Sequence, residues 1–387
     1  MRILFVTPGL LSRFGGSAVS EASLASNLQS QCELFVMCRK GKVDEKFVKK
    51  FGLQTIRQYE PTDVLRAYFA PSHPLNSIIR EMDLVHINGH WRWENYFFAR
   101  LCQKFSVPYV LHPRGMLVMR HGRLWLKHVF SYLLGDWIVK NSARIIALSN
   151  FEVVSFRSHP IDENQIVVIP NGIDFPNFSN ENHTLSTPGP YFLYLGRLEA
   201  RKNLLFLLNA FSVFSKEGGK ARLVFAGPIE RGYDQEIWKR ARELGIVESI
   251  QIHEAIYDNS KWVAMKKALA VIYPSVDEPF GRVPFEALAS GGVTIVPDAS
   301  GSAEYLGRFL PSLIYKENDA SSLAQIMSSL ASGKVPNLEE VRNWMACELS
   351  WQRVATQVLI MYREITTSDR YRRRQESEPQ SFSRTSH

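Results

Sequence analysis

The sequence predicts an α/β protein with two parallel-sheet domains, and three observations support this fold class. At 387 residues the chain is too long for one ordinary hydrophobic core. Apolar runs of strand length alternate with helical patterns along it, which is typical of a parallel sheet covered by helices. A polar stretch at 179–190, rich in turn-forming residues, separates two such alternating series. We therefore expect a linker there.

The first series places an N-terminal domain at 1–178. Its strands are predicted at 2–7, 33–38, 83–87, 108–111, 144–148 and 165–169. Its helices are predicted at 17–30, 93–106, 121–141 and 150–158.

The second series places a C-terminal domain at 191–349. Its strands are predicted at 191–195, 222–226, 249–252, 269–273 and 293–297. A last helix at 350–365 has apolar residues near helical spacing on one face. The tail at 366–387 is polar, Ser-rich and without an apolar period, so we expect it to be disordered.

Composition limits the classes of function. The chain is 45% hydrophobic and 22% charged, which is typical of a soluble globular protein. No apolar run approaches the roughly 18–20 residues that span a bilayer, and no signal-peptide pattern is present, so we expect a cytoplasmic protein. The net charge of +8 favours an anionic partner, namely nucleotide phosphates, a membrane surface or nucleic acid. Nucleic acid is disfavoured because the chain has no aromatic-plus-basic RNA motif, zinc spacing or helix-turn-helix signature.

The most informative motif is Glu278-Pro-Phe-Gly-Arg-Val-Pro-Phe-Glu286, which places two carboxylates eight positions apart where a loop enters a helix. Free backbone N–H groups at such a helix end attract an anion such as a phosphate. The residues expected at this donor-binding end are Phe280, Gly281, Arg282 and Val283. Glu278 and Glu286 could then accept protons from sugar hydroxyls. The alternative is that Glu286 caps its own helix and Glu278 is a solvated loop acid.

Cations follow the predicted strand 191–195. Arg197 and Lys202 lie within the next seven residues. Because ligands of open α/β sheets bind beyond the carboxyl ends of the strands, we expect both side chains to face a ligand. Arginine offers a fork to phosphate oxygens and lysine a point charge. The alternative is a solvated helix start.

These motifs, together with Pro170-Asn-Gly-Ile-Asp174, resemble in order and spacing the family-4 retaining glycosyltransferases of GT-B architecture. The resemblance extends from the first strand to the last helix. It implies two facing Rossmann-like domains with a cleft between them, with a nucleotide-sugar donor held mainly by the second domain. It further implies that the last helix packs toward the first domain.

The resemblance also implies roles for the motif residues. Glu286 is expected to bind the ribose hydroxyls of the nucleotide, and Glu278 the hydroxyls of the donor sugar, with retention of the anomeric configuration. The leaving diphosphate would be stabilised by Arg197, Lys202 and the helix end. Asp-x-Asp is absent from the chain, so we expect no metal and no other cofactor. On chemical grounds alone, Glu278 could instead act as a nucleophile.

The first domain offers further candidates. Gly15 and Gly16 follow the first strand and could let the backbone approach a diphosphate, although a flexible loop without a ligand fits as well. Many relatives carry a His just before the Gly of the loop after the strand at 108–111. Here Arg114 takes that place and His112 lies two residues earlier. We predict His112 as a catalytic candidate, and His90 and Arg114 as acceptor-side candidates. The alternative for each His is a structural hydrogen bond.

The predicted function is therefore that of a retaining, metal-independent hexosyltransferase. It would move a sugar from a nucleotide diphosphate to a glycan or lipid-linked acceptor in cell-surface polysaccharide synthesis. Basic and aromatic residues interleave at 91–93 and 120–128, which favours an anionic membrane surface as a further partner, although an ordinary solvated basic face fits as well. The alternative functions are a catalytically silent nucleotide-sugar-binding protein and a sugar-nucleotide epimerase on the same fold.

Overall fold

The computed structural model describes residues 1–11, 15–117, 124–176, 185 and 187–368. The chain divides into two compact units. The first comprises Met1–Leu148, Val153–Gly172 and the helix that begins at Trp351, and the second comprises Ser149–Glu152 and Ile173–Ser350. The sequence placed the first boundary at 178. The structure moves it to Ile173, whose backbone N–H donates to the carbonyl of Leu349 at 2.7 Å.

A seven-stranded parallel sheet organises the first unit. Its strands are β1 (Arg2–Thr7), β2 (Glu33–Arg39), β3 (Ile56–Tyr59), β4 (Leu84–Asn88), β5 (Tyr109–His112), β6 (Arg144–Ala147) and β7 (Ile166–Val168). Their order is β3-β2-β1-β4-β5-β6-β7, with every pairing parallel.

Helices cover this sheet. They are α1 (Gly16–Leu28), α2 (Glu45–Lys50), α3 (Pro61–Phe69), α4 (Pro74–Arg80), α5 (Trp93–Lys104), α6 (Leu124–Phe130), α7 (Asp136–Lys140) and α8 (Asn150–Phe156). A π-helical turn (Ser131–Gly135) joins α6 to α7, and a 3₁₀ turn (Glu163–Gln165) precedes β7. The helix predicted at 121–141 is thus three segments from 124 to 140. Its first three residues lie outside the described part of the chain.

A six-stranded parallel sheet organises the second unit. Its strands are β8 (Tyr191–Leu195), β9 (Arg222–Ala226), β10 (Ile250–His253), β11 (Ala270–Ile272), β12 (Thr294–Pro297) and β13 (Ile314–Tyr315), in the order β10-β9-β8-β11-β12-β13. Its helices are α9 (Leu204–Lys216), α10 (Tyr233–Leu244), α11 (Asp258–Lys267), α12 (Arg282–Ala289), α13 (Gly301–Leu306), α14 (Ala320–Ala331) and α15 (Glu339–Glu348). Its 3₁₀ turns are Ala200–Lys202, Val247–Ser249 and Pro311–Leu313.

The prediction of two parallel-sheet domains is confirmed, and every predicted strand is present to within two residues. The sequence missed β3 and β13. Most of the predicted linker, 179–184 and 186, and the tail from 369 to 387 lie outside the described residues. Helix α16 (Trp351–Thr367) runs two residues further than predicted.

Alternation along β1 creates two cores in the first unit. Ile3 and Phe5 point to one face of the sheet, while Leu4 and Val6 point to the other. Helices α1 and α16 cover the first face with a continuous apolar stripe, and α3, α4, α5 and α7 cover the second. The last helix of the chain therefore belongs to the first unit and packs on its sheet.

One buried polar contact fixes α16 on this sheet. The Tyr362 hydroxyl is hydrogen-bonded to Nδ1 of His86 on β4 at 2.5 Å, and both side chains are fully buried. Burial lowers the pKa of His86 well below its usual value, with the nearby Arg114 adding to the effect, so this imidazole is neutral.

We predict that Tyr362→Phe destabilises the first unit by about 1–3 kcal/mol, because His86 then buries an unsatisfied nitrogen. This corresponds to a fall of about 2–10 °C in the thermal midpoint, measured by calorimetry. Ile360→Ala, a truncation on the exposed face of the same helix, is the control and should change the midpoint far less. An equal change in both variants would contradict a stabilising role for this hydrogen bond.

Candidate functional site

The loop after β8 lies close to the loop after β9. A Cβ atom at Gly227 would lie 1.8 Å from the carbonyl oxygen of Gly196, so only glycine fits there. The Tyr194 hydroxyl donates to the carbonyl of Arg197 at 2.7 Å and holds the backbone as it leaves the strand. The Arg197 side chain is exposed beyond this point. The chain then forms the 3₁₀ turn that ends at Lys202.

Lys202 pairs with Glu278 at the carboxyl ends of two adjacent strands, β8 and β11. Lys202 Nζ lies 2.9 Å from Glu278 Oε2, and the hydroxyl of Tyr273 donates to the same oxygen at 3.1 Å. The Lys202 ammonium also lies 3.4 Å from that hydroxyl. The structure therefore brings together two of the predicted catalytic residues, and it adds a tyrosine that the sequence did not indicate.

The charges of this pair support each other. Burial opposes ionisation of Glu278, but the Lys202 ammonium and the Tyr273 hydroxyl outweigh it and hold the pKa of the carboxyl below its usual value. Burial likewise disfavours the charged form of Lys202, and here Tyr273 and Glu278 outweigh it and raise the pKa of the amine. Both groups are therefore charged at neutral pH.

The loop that carries Glu278 is clamped on both sides. Gly301 N–H donates to the Glu278 carbonyl at 2.8 Å, and the Ser149 hydroxyl donates to the Pro279 carbonyl at 2.6 Å. A Cβ atom at Gly301 would lie 1.8 Å from that Pro279 oxygen. Asp277, just before the loop, has a left-handed backbone with φ of 55°. These contacts fix the backbone of the loop that carries the Glu278 carboxylate.

Helix α12 begins directly after this loop. Gly281, with φ of 69°, precedes Arg282, the first helical residue, and Val283 follows. The ring of Phe280 is buried and stacks on Phe285 with centroids 4.5 Å apart, so only the backbone of Phe280 faces the helix end. The predicted helix start is confirmed. Its first backbone N–H groups have no partner within the helix and remain suited to an anion.

Glu286 is buried on α12 and is held by two cations. Lys261 Nζ on α11 lies 3.0 Å from Oε2, and an Arg282 nitrogen lies 3.1 Å from Oε1. The same nitrogen of Arg282 lies 3.4 Å from Asp174 Oδ2. Burial raises the pKa of Glu286, but Lys261 and Arg282 together outweigh it and leave the pKa below its usual value. Arg282, predicted at the anion-binding helix end, instead directs its guanidinium to carboxylates.

The sequence did not indicate Lys261. It lies 25 positions before its partner, within a helix whose other lysines, Lys266 and Lys267, are exposed. Nothing in the residue pattern distinguishes it from a solvated surface cation.

In the first unit, Arg114 is part of a buried polar network. Its Nε donates to Asn88 Oδ1 at 2.9 Å and lies 3.6 Å from Glu21 Oε1. A second nitrogen donates to Asn171 Oδ1 at 3.2 Å, and the Thr7 hydroxyl donates to Glu21. Burial raises the pKa of Glu21 despite the opposing effect of Arg114. Arg114 was predicted on the acceptor side, whereas this side chain is enclosed and links the ends of β1 and β4 to Asn171.

The two candidate histidines are also enclosed. His90 is fully buried and His112 almost so, and neither ring nitrogen of either residue has a hydrogen-bond partner among the described residues. Burial lowers the pKa of His90 to about 3, with a smaller contribution from His159. It lowers the pKa of His112 well below its usual value, with Arg114 and His86 adding to the effect. Both imidazoles are therefore neutral, and the structure does not expose His90 to an acceptor.

The glycines predicted to approach a diphosphate lie at the start of α1. Gly15 is its N-cap residue, with φ of 67°, and Gly16 is the first helical residue. Residues 12–14 of the same loop lie outside the described part of the chain.

Family comparisons agree with this arrangement. Residues 14–175 match the family described as Glycosyltransferase Family 4, and residues 177–344 match the family described as Glycosyl transferases group 1. The two matches follow each other along the chain and carry the motifs described above. The chain belongs to the family-4, group 1 glycosyltransferases.

The curated relatives are glycosyltransferases as well. The chain is 26% identical over 230 residues to a GDP-mannose:cellobiosyl-diphosphopolyprenol alpha-mannosyltransferase of Xanthomonas oryzae, a match that covers 57% of each protein. The match thus spans little more than half the length of that relative. An alpha-maltose-1-phosphate synthase of Mycolicibacterium smegmatis is 21% identical over 91% of this chain and 96% of its own length.

Solved structures show the same fold. Anabaena HepE, in complex with UDP and glucose, matches with a TM-score of 0.74 at 16% identity, over 94% of this chain and 100% of that chain. A sucrose-phosphate synthase of Thermosynechococcus elongatus matches with a TM-score of 0.73 at 17% identity, over 94% and 99% of the two chains. The predicted GT-B fold is confirmed.

We predict that Lys202→Met destabilises the second unit most at neutral pH. A carboxyl whose pKa is depressed in the folded state adds stability above its unfolded pKa of about 4.3, and this stability is lost as pH falls through the folded pKa. Without Lys202, burial becomes the dominant influence on Glu278 and raises its pKa. We expect a loss of about 1–3 kcal/mol near pH 7 that shrinks below about pH 4.

The measurement is the thermal midpoint of both proteins between pH 3 and 8. Lys220→Met, which removes an exposed lysine of the same unit, is the control and should leave the midpoint nearly unchanged. A loss that is the same at every pH would show that Lys202 stabilises the fold by packing alone.

Proposed function

We propose that this glycosyltransferase moves a hexose from a nucleotide-diphosphate sugar to a hydroxyl of a glycan or lipid-linked acceptor, with retention at the anomeric carbon. The observation that carries the proposal is the charged arrangement at one sheet edge of the second unit. Lys202 and Glu278 are paired at the ends of β8 and β11. Helix α12 begins four residues after Glu278 and carries Glu286. Ligands of open α/β sheets bind at this edge.

The site suits a diphosphate leaving group. Lysine has three N–H donors, and Lys202 directs two of them to Glu278 and Tyr273, so the third can meet a phosphate oxygen. The exposed Arg197 and the first N–H groups of α12 add positive potential. Because these groups are held before the substrate arrives, they stabilise charge that develops on the diphosphate with little reorganisation.

The two carboxylates suit hydroxyl groups. Lys202 and Tyr273 both contact Oε2 of Glu278, which leaves Oε1 to accept a hydrogen bond from the donor sugar. Each oxygen of Glu286 holds one cation and has a second lone pair for a ribose hydroxyl. Lys261 and Arg282 orient Glu286 and keep it ionised. In this proposal Lys261 acts as a positioning residue for nucleotide binding.

We propose that the reaction needs no metal, since Lys202, Arg197 and the helix start supply the charge that a cation would otherwise provide. The nucleotide sugar is then the donor substrate and the enzyme carries no cofactor. His112 remains a candidate for contact with the donor sugar. Its neutral imidazole would act as a hydrogen-bonding group rather than as a cation.

The name of one relative supports a proposal for the acceptor class. One of them is named for an acceptor on diphosphopolyprenol, a lipid carrier. We propose that this enzyme likewise extends a lipid-linked or growing cell-surface glycan. It would act from the cytoplasm as a peripheral protein at the inner face of the membrane. No helix among the described residues is long and apolar enough to cross a bilayer.

We predict that the two carboxylates separate by role. Glu286→Gln should weaken nucleotide binding about 10–100-fold, the scale of a hydrogen bond to a charged group, as measured by calorimetry with nucleoside diphosphates. Glu278→Gln should lower turnover about 10²-fold and leave nucleotide affinity largely unchanged. Glu248→Gln, a surface substitution of the same unit, is the control. If affinity and turnover stay at wild-type values in both variants, neither carboxylate belongs to the site.

We predict that transfer survives chelation by EDTA and yields a product with the anomeric configuration of the donor, read by proton NMR. Activity that is lost on chelation and restored by manganese or magnesium would contradict metal independence. An inverted product would contradict retention. Release of free or epimerised sugar without any acceptor would instead favour the epimerase.

A further inference from the structure

Helix α6 and the π-helical turn after it expose an unusual number of apolar side chains. No residue of α6 is buried. The exposed large apolar residues of this segment, which we name the outer apolar face, are Leu124, Trp125, Leu126, Val129, Tyr132 and Leu133. Trp125 is 67% exposed, Tyr132 85% and Leu133 62%. Six such side chains within ten residues form a patch of the kind that marks an interaction surface.

Ring contacts attach the segment to the rest of the first unit. Phe130 of α6 packs edge-on against Trp91, with centroids 5.6 Å apart, and Trp137 of α7 packs against Tyr96 of α5 at 5.3 Å. The inner residues thus hold the helices in place. The outer apolar face is what remains on the solvent side.

Several cations of the first unit are stacked on aromatic rings, and one of them, Lys127, lies on α6 itself. Lys127 Nζ lies 5.3 Å from the Trp91 ring centre, and the Arg100 guanidinium lies 5.0 Å from the Trp137 ring centre. Lys104 lies 5.8 Å from the ring of Tyr68, on the neighbouring helix α3. Lys104 is exposed, whereas Arg100 is half-buried and also donates to the hydroxyls of Tyr96 and Tyr68.

Acids are few in this part of the chain. From Trp93 to Lys140, the described residues include only Glu94 and Asp136 as acids. Glu94 is buried and paired with Arg92, and Asp136 contacts the imidazole of His159 at 3.1 Å. Basic side chains therefore outnumber acidic ones among the described residues of this segment.

We propose that the outer apolar face docks the first unit onto an anionic lipid bilayer. Its apolar and aromatic side chains would enter the headgroup region, while Lys127 and Lys104 meet lipid phosphates. Helices that lie at a membrane interface commonly combine Trp and Tyr with Lys and Arg. Positive charge beside the patch is complementary to anionic lipid. The purpose of this docking, which is to bring the enzyme to a lipid-linked acceptor, rests on the proposed function.

The test is flotation of the full chain with vesicles of phosphatidylcholine alone or mixed 3:1 with phosphatidylglycerol, without donor or acceptor. Binding should require phosphatidylglycerol and weaken as salt rises. The double variant Trp125→Ser/Tyr132→Ser should bind about tenfold more weakly, because it lacks two rings that are partly removed from water when the wild type binds vesicles. Lys104→Gln should weaken binding about fivefold. If the double variant folds poorly, Tyr132→Ser alone, at the most exposed position of the face, is measured in the same way and should also bind vesicles more weakly than the wild type.

Matched controls lie in the second unit. Tyr257→Ser removes an equally exposed ring and Lys334→Gln an exposed lysine, and both should bind vesicles like the wild type. Equal flotation with neutral and anionic vesicles, or wild-type binding by the double variant, would overturn the proposal. A wild-type dimer that becomes monomeric in the double variant, by sedimentation, would identify a second copy as the occupant and overturn it as well.

Nucleotide binding separates this proposal from the proposed function. The double variant should bind nucleoside diphosphates with wild-type affinity, because both of its substitutions lie in the first unit and the proposed nucleotide site lies in the second. Vesicle binding by a wild-type chain that binds no nucleotide would leave the docking face intact and contradict the proposed function. The reverse result would contradict only the docking face.

Discussion

The ion pair between Lys202 and Glu278 is the interaction on which the candidate site depends. Each partner alone would be disfavoured, because burial opposes the charged form of both groups. Together, and with the hydroxyl of Tyr273 on the shared oxygen, they stay charged at the end of two neighbouring strands. The same logic holds for Glu286, which keeps its charge because Lys261 and Arg282 approach its two oxygens. The site is a set of mutually compensated charges, ready before a substrate arrives.

Backbone geometry makes these pairs possible. Glycines at the ends of β8 and β9 allow two loops to approach within van der Waals distance, and Gly301 allows a backbone contact with the Glu278 loop. In the first unit, the network of Arg114, Glu21 and Asn171 connects strand ends in a similar way. In both units, polar groups from distant parts of the chain meet at the carboxyl edge of a parallel sheet. This edge is where the fold can hold a ligand.

The sequence predicted what local patterns determine. Apolar runs located the strands, and the fixed geometry of parallel sheets then placed Lys202 and Glu278 on one edge. It could not predict the partners of these residues. Tyr273 looks like the end of a buried strand, Lys261 looks like a surface cation, and Arg114 looks like a loop residue open to solvent. Their roles depend on contacts between residues far apart in sequence, such as Arg114 with Glu21 and Asn171, and no periodicity records such contacts. The short strands β3 and β13 were missed for a related reason, since two to four residues carry too little pattern.

The most direct test of the account is a crystal structure of the protein with a non-hydrolysable nucleotide-diphosphate sugar, chosen from a thermal-shift screen of such compounds. The account predicts that the diphosphate lies within hydrogen-bonding distance of Lys202 Nζ and the first N–H groups of α12. It also predicts that the ribose hydroxyls donate to Glu286 and that a sugar hydroxyl donates to Glu278. A nucleotide bound elsewhere, with the Lys202–Glu278 pair and Glu286 untouched, would contradict it.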